Sequence, residues 1–115
     1  MPERDSRLYL SDILDSSSAI QEFVKDLSFE EFCNDRKTYS AVIREFEIIG
    51  EGVGKLSDEL KRNHPDVEWQ DIRDFRNLLV HEYFGVDLEI VWKAIQEDLP
   101  LLMNTVRRIL RPESE

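Results

Sequence analysis

The residues best suited to chemistry in this chain lie in one octapeptide, Arg76-Asn77-Leu78-Leu79-Val80-His81-Glu82-Tyr83. Arginine can hold a phosphate with two parallel N–H donors, and histidine changes charge near neutral pH. On an ideal helix Arg76 and His81 stand about 140° and about 7.5 Å apart, which the long arginine side chain can bridge. Asn77 lies one turn before His81, and Tyr83 returns to nearly the face of Arg76. The spacing predicts a shared cleft for phosphate-ester chemistry, although a histidine near a helix end is more often a capping or packing residue.

The composition limits the kinds of protein that could carry such a cleft. The chain has 115 residues, 41% of them hydrophobic, enough for a single domain over residues 1–115 with one core. Its net charge of −10 argues against a general nucleic-acid coat protein, because non-specific affinity depends on lysine and arginine, so any RNA contact must be local. No apolar run suits a membrane span, the first residues lack a secretory pattern, and Cys33 is the only cysteine. We therefore expect a soluble, cytoplasmic protein without disulfides or a cysteine-based metal site.

Apolar residues recur at steps of three and four in the first half of the chain, which predicts two long helices. Asp5 or Ser6 is the expected cap of the first helix. Ser28 and Glu31 form a capping-box pattern for a short helix or turn through residue 32. Asp35 caps the second long helix, which we expect to continue through residue 60. The residues expected to face the core of this half are Leu10, Ile13, Ile20, Val24, Leu27, Val42, Phe46, Ile49, Val53, Leu56 and Leu60.

The second half predicts two more long helices after a break at Asn63-His64-Pro65-Asp66, where proline disfavours helical backbone and His64 is expected to face solvent. The third helix begins near Trp69, runs through the octapeptide and ends at Gly85. Asp87 caps the fourth, and Pro100 should bend it locally. The expected core residues are Ile72, Phe75, Leu79, Leu88, Val91, Ile95, Leu99, Leu102, Val106 and Ile109. The predicted architecture is all-α, an antiparallel bundle of four to five helices.

Three glycines interrupt the second long helix, namely Gly50, Gly52 and Gly54. Each costs about 1 kcal/mol relative to alanine inside a helix, so each calls for a reason. Close helix packing or a local kink is the favoured reason. A glycine loop that cradles phosphate is the other, but neither established phosphate-binding glycine pattern accompanies them.

Several charged residues outside the octapeptide also allow two interpretations. Arg44 and Arg73 could add positive potential around the cleft, or each could form a structural ion pair. Glu47 and Glu51 stand one turn apart, but no histidine lies at a spacing that would complete a metal site. For the C-terminal arginines, interaction with the helix dipole is favoured over an RNA-binding patch; these are Arg107, Arg108 and Arg111.

The octapeptide and its surroundings resemble a known family. The pattern of Arg76, four residues, His81, one residue and Tyr83, with polar Asn77 after the arginine, resembles the signature of HEPN domains and of the HepT-like toxins in particular. The resemblance extends from about Leu10 to Leu110. Its blocks are Asp35-Arg36-Lys37-Thr38, Val42-Ile43-Arg44, Glu47-Ile48-Ile49-Gly50-Glu51, Val80-His81-Glu82-Tyr83-Phe84-Gly85-Val86-Asp87 and Ile95-Gln96-Glu97-Asp98-Leu99-Pro100.

This resemblance implies an all-helical homodimer in which two copies of the motif face one another across a cleft. The implied activity is a metal-independent endoribonuclease that acts as the toxin of a toxin–antitoxin pair, on RNA such as tRNA or mRNA. The implied antitoxin is a minimal nucleotidyltransferase that inactivates the toxin by transferring AMP from ATP to Tyr83. The toxin itself needs no cofactor, since ATP and Mg²⁺ belong to that partner.

The resemblance also suggests roles for the residues of the motif. Arg76 would hold the scissile phosphate, His81 would act as acid or base, Asn77 would position His81 or a phosphate oxygen, and Tyr83 would accept AMP. A catalytically idle dimeric module, which serves as the modification substrate or regulatory partner of a nucleotidyltransferase, is the alternative. The acidity of the chain makes that alternative reasonable.

Overall fold

The structure, a computed structural model, describes residues 4–81 and 87–111, except for the side chains of residues 4, 76–78, 80 and 81. Within these ranges the chain is helical, with no β-strand. The helices are α1 (Arg4–Val24), α2 (Phe29–Cys33), α3 (Arg36–Gly54), α4 (Asp58–Asn63), α5 (Trp69–His81), α6 (Leu88–Lys93) and α7 (Leu99–Leu110), with a π-helical turn over Ala94–Asp98. The all-α prediction is confirmed.

Helix α1 packs against both α3 and α7, and α5 packs against α3. Gly52, late in α3, lies beside Ile13 and Tyr9 in the first half of α1, so these two helices run antiparallel. Arg7 near the start of α1 donates a hydrogen bond of 2.9 Å to the carbonyl of Leu110 at the end of α7. Near the middle of both helices, Phe46 of α3 meets Phe75 of α5 edge to face, with ring centroids 5.2 Å apart. The predicted stripes converge between these helices, and nearly all of their members are buried.

The start and end of α1 differ from the prediction. Arg4 and Asp5 already belong to the helix, so neither Asp5 nor Ser6 caps it, and both predicted caps are wrong. Asp5 instead lies in the first turn, where a carboxylate interacts favourably with the helix dipole. After α1, Asp26 adopts a left-handed backbone with φ of 65°, which turns the chain and leaves Leu27 outside the helix.

The other predicted caps of the first half are confirmed. Ser28 and Glu31 form the reciprocal capping box of α2, with the Ser28 amide donating to Glu31 over 2.9 Å and the Glu31 amide to Ser28 Oγ over 3.1 Å. Asp35 accepts from the backbone amide and the hydroxyl of Thr38. These two hydrogen bonds lower the pKa of Asp35, because they favour its charged form.

The prediction of one continuous helix through residue 60 is wrong. The chain leaves α3 at Lys55, and Ser57 caps a separate helix, α4, by accepting from the Leu60 amide over 3.1 Å. Val53, Leu56 and Leu60 are buried on both sides of this break, so the apolar spacing gives no sign of it. The local signal was Ser57 followed by two acidic residues, which is a typical helix start.

The fourth long helix contains a disturbance at the predicted place. Asp87 caps α6 by accepting from the Glu89 amide over 2.9 Å, as predicted. The π-helical turn then precedes Pro100, and the Leu99 amide donates to the carbonyl of Ala94, five residues earlier. Since a proline ring collides with the carbonyl four residues before it, a wider turn accommodates Pro100 without ending the helix.

Within the described ranges, no helix combines the length and apolar character needed to cross a membrane. The predicted helix end at Gly85 lies outside the described residues.

Candidate active site

Helix α5 carries most of the predicted site, and its packing explains its position. The Trp69 indole donates a hydrogen bond of 2.9 Å to the carbonyl of His64, which ties the first turn of α5 to the preceding connector. Ile72 and Phe75 pack against the core, and Leu79 is fully buried. These apolar residues attach one face of α5 to α3. The predicted orientation of this helix is therefore confirmed.

The structure places Arg76, Asn77 and His81 within the regular backbone of α5. The ideal-helix geometry assumed from the sequence therefore applies to these three positions, and Asn77 lies one turn before His81. Position 81 is the last residue of α5 in the described part of the chain. Tyr83 lies outside the described residues, so its predicted role as the AMP acceptor stays a prediction.

The basic residues considered beside the motif have different surroundings. Arg44 forms an ion pair with Glu47 in the next turn of α3, with Nη1 and Oε1 3.4 Å apart. Arg73 is exposed and extends over Gly54 at the end of α3, where a β-carbon on the glycine would stand 3.4 Å from Arg73 Nε. Of the two interpretations given for Arg44, the structural ion pair is therefore the one that the structure supports. No carboxylate within the described ranges forms an ion pair with Arg73.

Lys61 at the end of α4 lies within the electrostatic reach of Arg73. Partial burial lowers the pKa of Lys61 and the positive charge of Arg73 lowers it further, while Asp58 acts in the opposite direction. Asp74, which follows Arg73 in the sequence, accepts a hydrogen bond of 2.9 Å from Gln70. Arg73 lies three residues before Arg76 on α5, and its positive charge acts on Lys61 of α4. The sequence did not identify Arg73 and Lys61 as a pair, because they lie on different helices and only the packing of α3, α4 and α5 determines where each side chain lies.

The C-terminal arginines are partly accounted for by structural contacts. Arg108 donates to Asp66 over 3.0 Å and to Thr105 over 3.1 Å, which ties the connector before α5 to α7. Arg107 and Arg108 lie in the last turn of α7, where positive charge complements the helix dipole. The favoured structural interpretation is supported for Arg108.

The acidic pair on α3 and the second histidine do not form a second site. Glu47 contacts Arg44, and Glu51 contacts Lys55 with Oε1 and Nζ 3.6 Å apart. No group of three or more metal-ligating side chains occurs among the residues that the structure describes. His64 is half-buried in the connector after α4, rather than solvent-facing as predicted, and its carbonyl accepts the hydrogen bond from Trp69.

A cavity of about 410 Å³ lies between α5 and the α6–α7 segment. Its walls combine apolar residues with the acidic Glu68, Asp71, Glu97 and Asp98, and among the described side chains Lys93 is the only basic one in the lining. Asp71 lies on the side of α5 that faces away from positions 73 and 77. The charge of this cavity does not suit an RNA backbone, so we do not assign it to the candidate active site.

Comparisons with known proteins agree with the chemistry suggested by α5. A family model described as "Ribonuclease HepT-like" matches residues 13–109, which include the whole octapeptide. A Thermococcus cleftensis protein named "Probable ribonuclease HepT" is 39% identical over 93% of this chain and 97% of its own. Proteins named "Putative RNase" are 39% identical in Methanocaldococcus jannaschii, over 92% of this chain and 97% of the relative, and 41% identical in Caldanaerobacter subterraneus, over 93% and 96%. No solved structure gives a significant match. The chain belongs to the ribonuclease HepT-like family of the HEPN superfamily.

Proposed function

We propose that this protein is a metal-independent endoribonuclease and the toxin of a toxin–antitoxin pair, with residues 1–115 acting as a single HEPN domain. Membership of a ribonuclease family over residues 13–109 carries this proposal. The positions of Arg76, Asn77 and His81 on one helix, at a spacing that the long arginine side chain can bridge, support it. In the proposed assembly two chains pair so that their α5 helices face each other across the RNA.

The proposed reaction uses the ribose of the substrate as the nucleophile. The 2′-hydroxyl oxygen attacks the adjacent phosphorus while His81 accepts its proton, and the bond from phosphorus to the 5′-oxygen breaks. The His81 of the second copy donates a proton to the departing 5′-oxygen. Arg76 balances the additional negative charge on the phosphate, and Asn77 orients His81 or a phosphate oxygen. The products are a 2′,3′-cyclic phosphate and a 5′-hydroxyl.

The first test is RNA cleavage by the purified protein in EDTA, with analysis of the product ends. His81→Ala and Arg76→Ala should each lower the cleavage rate by at least about 100-fold, because each removes a group that acts in the transition state. His64→Ala and Arg44→Gln are the matched controls, since they remove the other histidine and an ion-paired arginine while leaving the motif intact.

Cyclic phosphate ends that disappear only in the motif variants, with unchanged melting temperatures, would support the ribonuclease. Equal inactivity of the wild type and His81→Ala on total RNA and tRNA would favour the idle binding module, for which the net charge of −10 is the argument. Loss of folding in the motif variants would indicate that these residues have a structural role instead of a catalytic one.

Regulation by AMP transfer to Tyr83 is a separate part of the proposal. A bulky anionic group on this residue would obstruct RNA and repel its phosphates. Incubation with the nucleotidyltransferase encoded beside the toxin, ATP and Mg²⁺ should add the mass of AMP to the wild type but not to Tyr83→Phe. Tyr9→Phe and Tyr39→Phe remove the other two tyrosines and should still be modified. A mass gain of AMP on Tyr83→Phe would refute Tyr83 as the sole acceptor.

A further inference from the structure

We propose that Arg73 and Lys61 form a binding subsite for an RNA phosphate next to the scissile one. This inference rests on the proposed function, because it assigns part of the substrate path beside the motif. It concerns residues whose side chains the structure describes, and it gives them a positioning role rather than a part in the chemical step.

The first observation is the position of Arg73 on α5. At about 100° per residue, positions 76, 77 and 81 lie at about −60°, +40° and +80° around the helix from Arg73. The three core-facing residues of α5 lie between about −100° and −160° on the same scale. Arg73 therefore lies inside the arc that carries the motif and points away from the core, as its exposure confirms. It precedes Arg76 by about 4.5 Å along the axis, which is less than the spacing of adjacent phosphates in an extended strand.

The second observation is the way in which the Arg73 side chain is held. Its Nε and Cζ atoms lie 3.4 and 3.6 Å from the place where a β-carbon of Gly54 would stand. The guanidinium thus extends over the end of α3 against a residue without a side chain. This support gives an exposed arginine a defined direction, and a cation held in one place loses less conformational entropy when it binds a phosphate.

The third observation is the charge around this arginine. Acids are abundant in the chain, yet within the described ranges none forms an ion pair with Arg73. The carboxylate of neighbouring Asp74 accepts from Gln70 instead. Half-buried Lys61 lies on α4, which begins shortly after Gly54 at Asp58. Burial lowers the pKa of its ammonium group, Asp58 opposes this effect, and the positive charge of Arg73 adds to it. A phosphate bound by Arg73 would reduce the repulsion between the two cations, and Lys61 would add to its attraction.

The test compares two RNA substrates of different length. A dinucleotide contains only the scissile phosphate, whereas a longer oligonucleotide also extends over the proposed subsite. Arg73→Gln should raise the KM for the oligonucleotide about fivefold, as expected for one exposed charge contact, with kcat unchanged. It should leave cleavage of the dinucleotide unaffected. Lys61→Gln should act in the same direction, and Arg73→Lys should restore part of the affinity because it keeps the charge.

The salt dependence of binding gives a readout that a structural role would not change. RNA binding to His81→Ala, measured by fluorescence anisotropy at several salt concentrations, should lose about one unit of slope in the log–log plot when Arg73→Gln is added. Arg44→Gln is the matched control, because it removes an exposed arginine that Glu47 already neutralises. The melting temperature of every variant identifies any loss of folding, and Lys61→Gln supplies an independent variant if Arg73→Gln does not fold.

The two proposals fail in different ways. If the oligonucleotide is cleaved in a His81-dependent manner but Arg73→Gln and Arg44→Gln have equal effects on KM and slope, the subsite is refuted and the ribonuclease stands. If no RNA is cleaved but binding still depends on Arg73 and Lys61, the ribonuclease is refuted, whereas the binding of an RNA phosphate by these two residues is supported.

Discussion

Gly52 illustrates how a single residue determines the approach of two helices. A β-carbon on this glycine would stand 2.9 Å from Ile13 Cγ1 of α1, and Ile13 is fully buried. The carbonyl of Tyr9 is also near, at 3.7 Å. The helix propensity lost at a glycine in the last turn of α3 is therefore offset by close packing of α1 on α3, which the sequence favoured as an explanation for its glycines.

Alanine at this position should consequently destabilise the protein, although alanine is the better helix former. Gly52→Ala should lower the free energy of unfolding by about 1–3 kcal/mol, because buried Ile13 has to move to relieve the overlap. Denaturation in urea measures this change. Gly54→Ala is the matched control, since its β-carbon would make only ordinary contacts with Arg73, and its effect should stay within about 1 kcal/mol. Equal effects of the two variants would contradict the packing argument.

At the scale of the elements, the helix caps could be predicted from local sequence, but the continuity of the helices between the caps could not. Ser28, Asp35 and Asp87 cap helices as predicted, because a cap depends on a side chain and an amide two or three residues later. The break between α3 and α4 was missed because Val53, Leu56 and Leu60 keep the spacing of a buried stripe whether or not the helix continues. Apolar spacing reports which residues are buried but not whether the backbone between them is continuous.

The prediction of the candidate site from the sequence was limited in the same way. Residue types and spacing sufficed to find α5 and to place Arg76, Asn77 and His81 on it. They could not separate Arg44 from Arg73, because the difference arises from an ion pair within α3 in one case and from contact with Gly54 of another helix in the other. Likewise, Pro100 indicated a local disturbance, but only the structure identifies it as a π-helical turn.

At the scale of the whole molecule, the distribution of charge matters more than its total. The net charge of −10 includes the acidic lining of the cavity between α5 and the α6–α7 segment, whereas the exposed Arg73 lies on α5 within the arc of the motif positions. With the proposed subsite, an acidic protein would present a local positive charge to RNA. The same acidity also affects stability, because like charges repel most strongly where burial reduces screening.

Asp98, at the end of the π-helical turn, provides a test of this self-repulsion. Partial burial raises its pKa, as do the negative charges of Glu97 and Asp71, while Lys93 partly opposes them. Since the pKa is higher in the folded state than in the unfolded chain, the stabilising contribution of the protonated form is complete below the unfolded pKa. It is lost as the pH rises through the folded pKa, so the ionised Asp98 destabilises the fold at neutral pH.

Asp98→Asn should therefore raise the melting temperature at pH 7 by a small amount, equivalent to about 0.5 kcal/mol or less because the residue is largely exposed. The gain should shrink toward zero at a pH below the ordinary range of an aspartate, where both proteins carry a neutral side chain. Asp12→Asn on α1 is the matched control for the change in net charge alone, since Asp12 is exposed and lies outside the cavity lining. Thermal melting of the three proteins at both pH values separates the cases. An equal gain in both variants would assign the effect to net charge, and a loss of stability in Asp98→Asn at pH 7 would contradict the local repulsion at the turn.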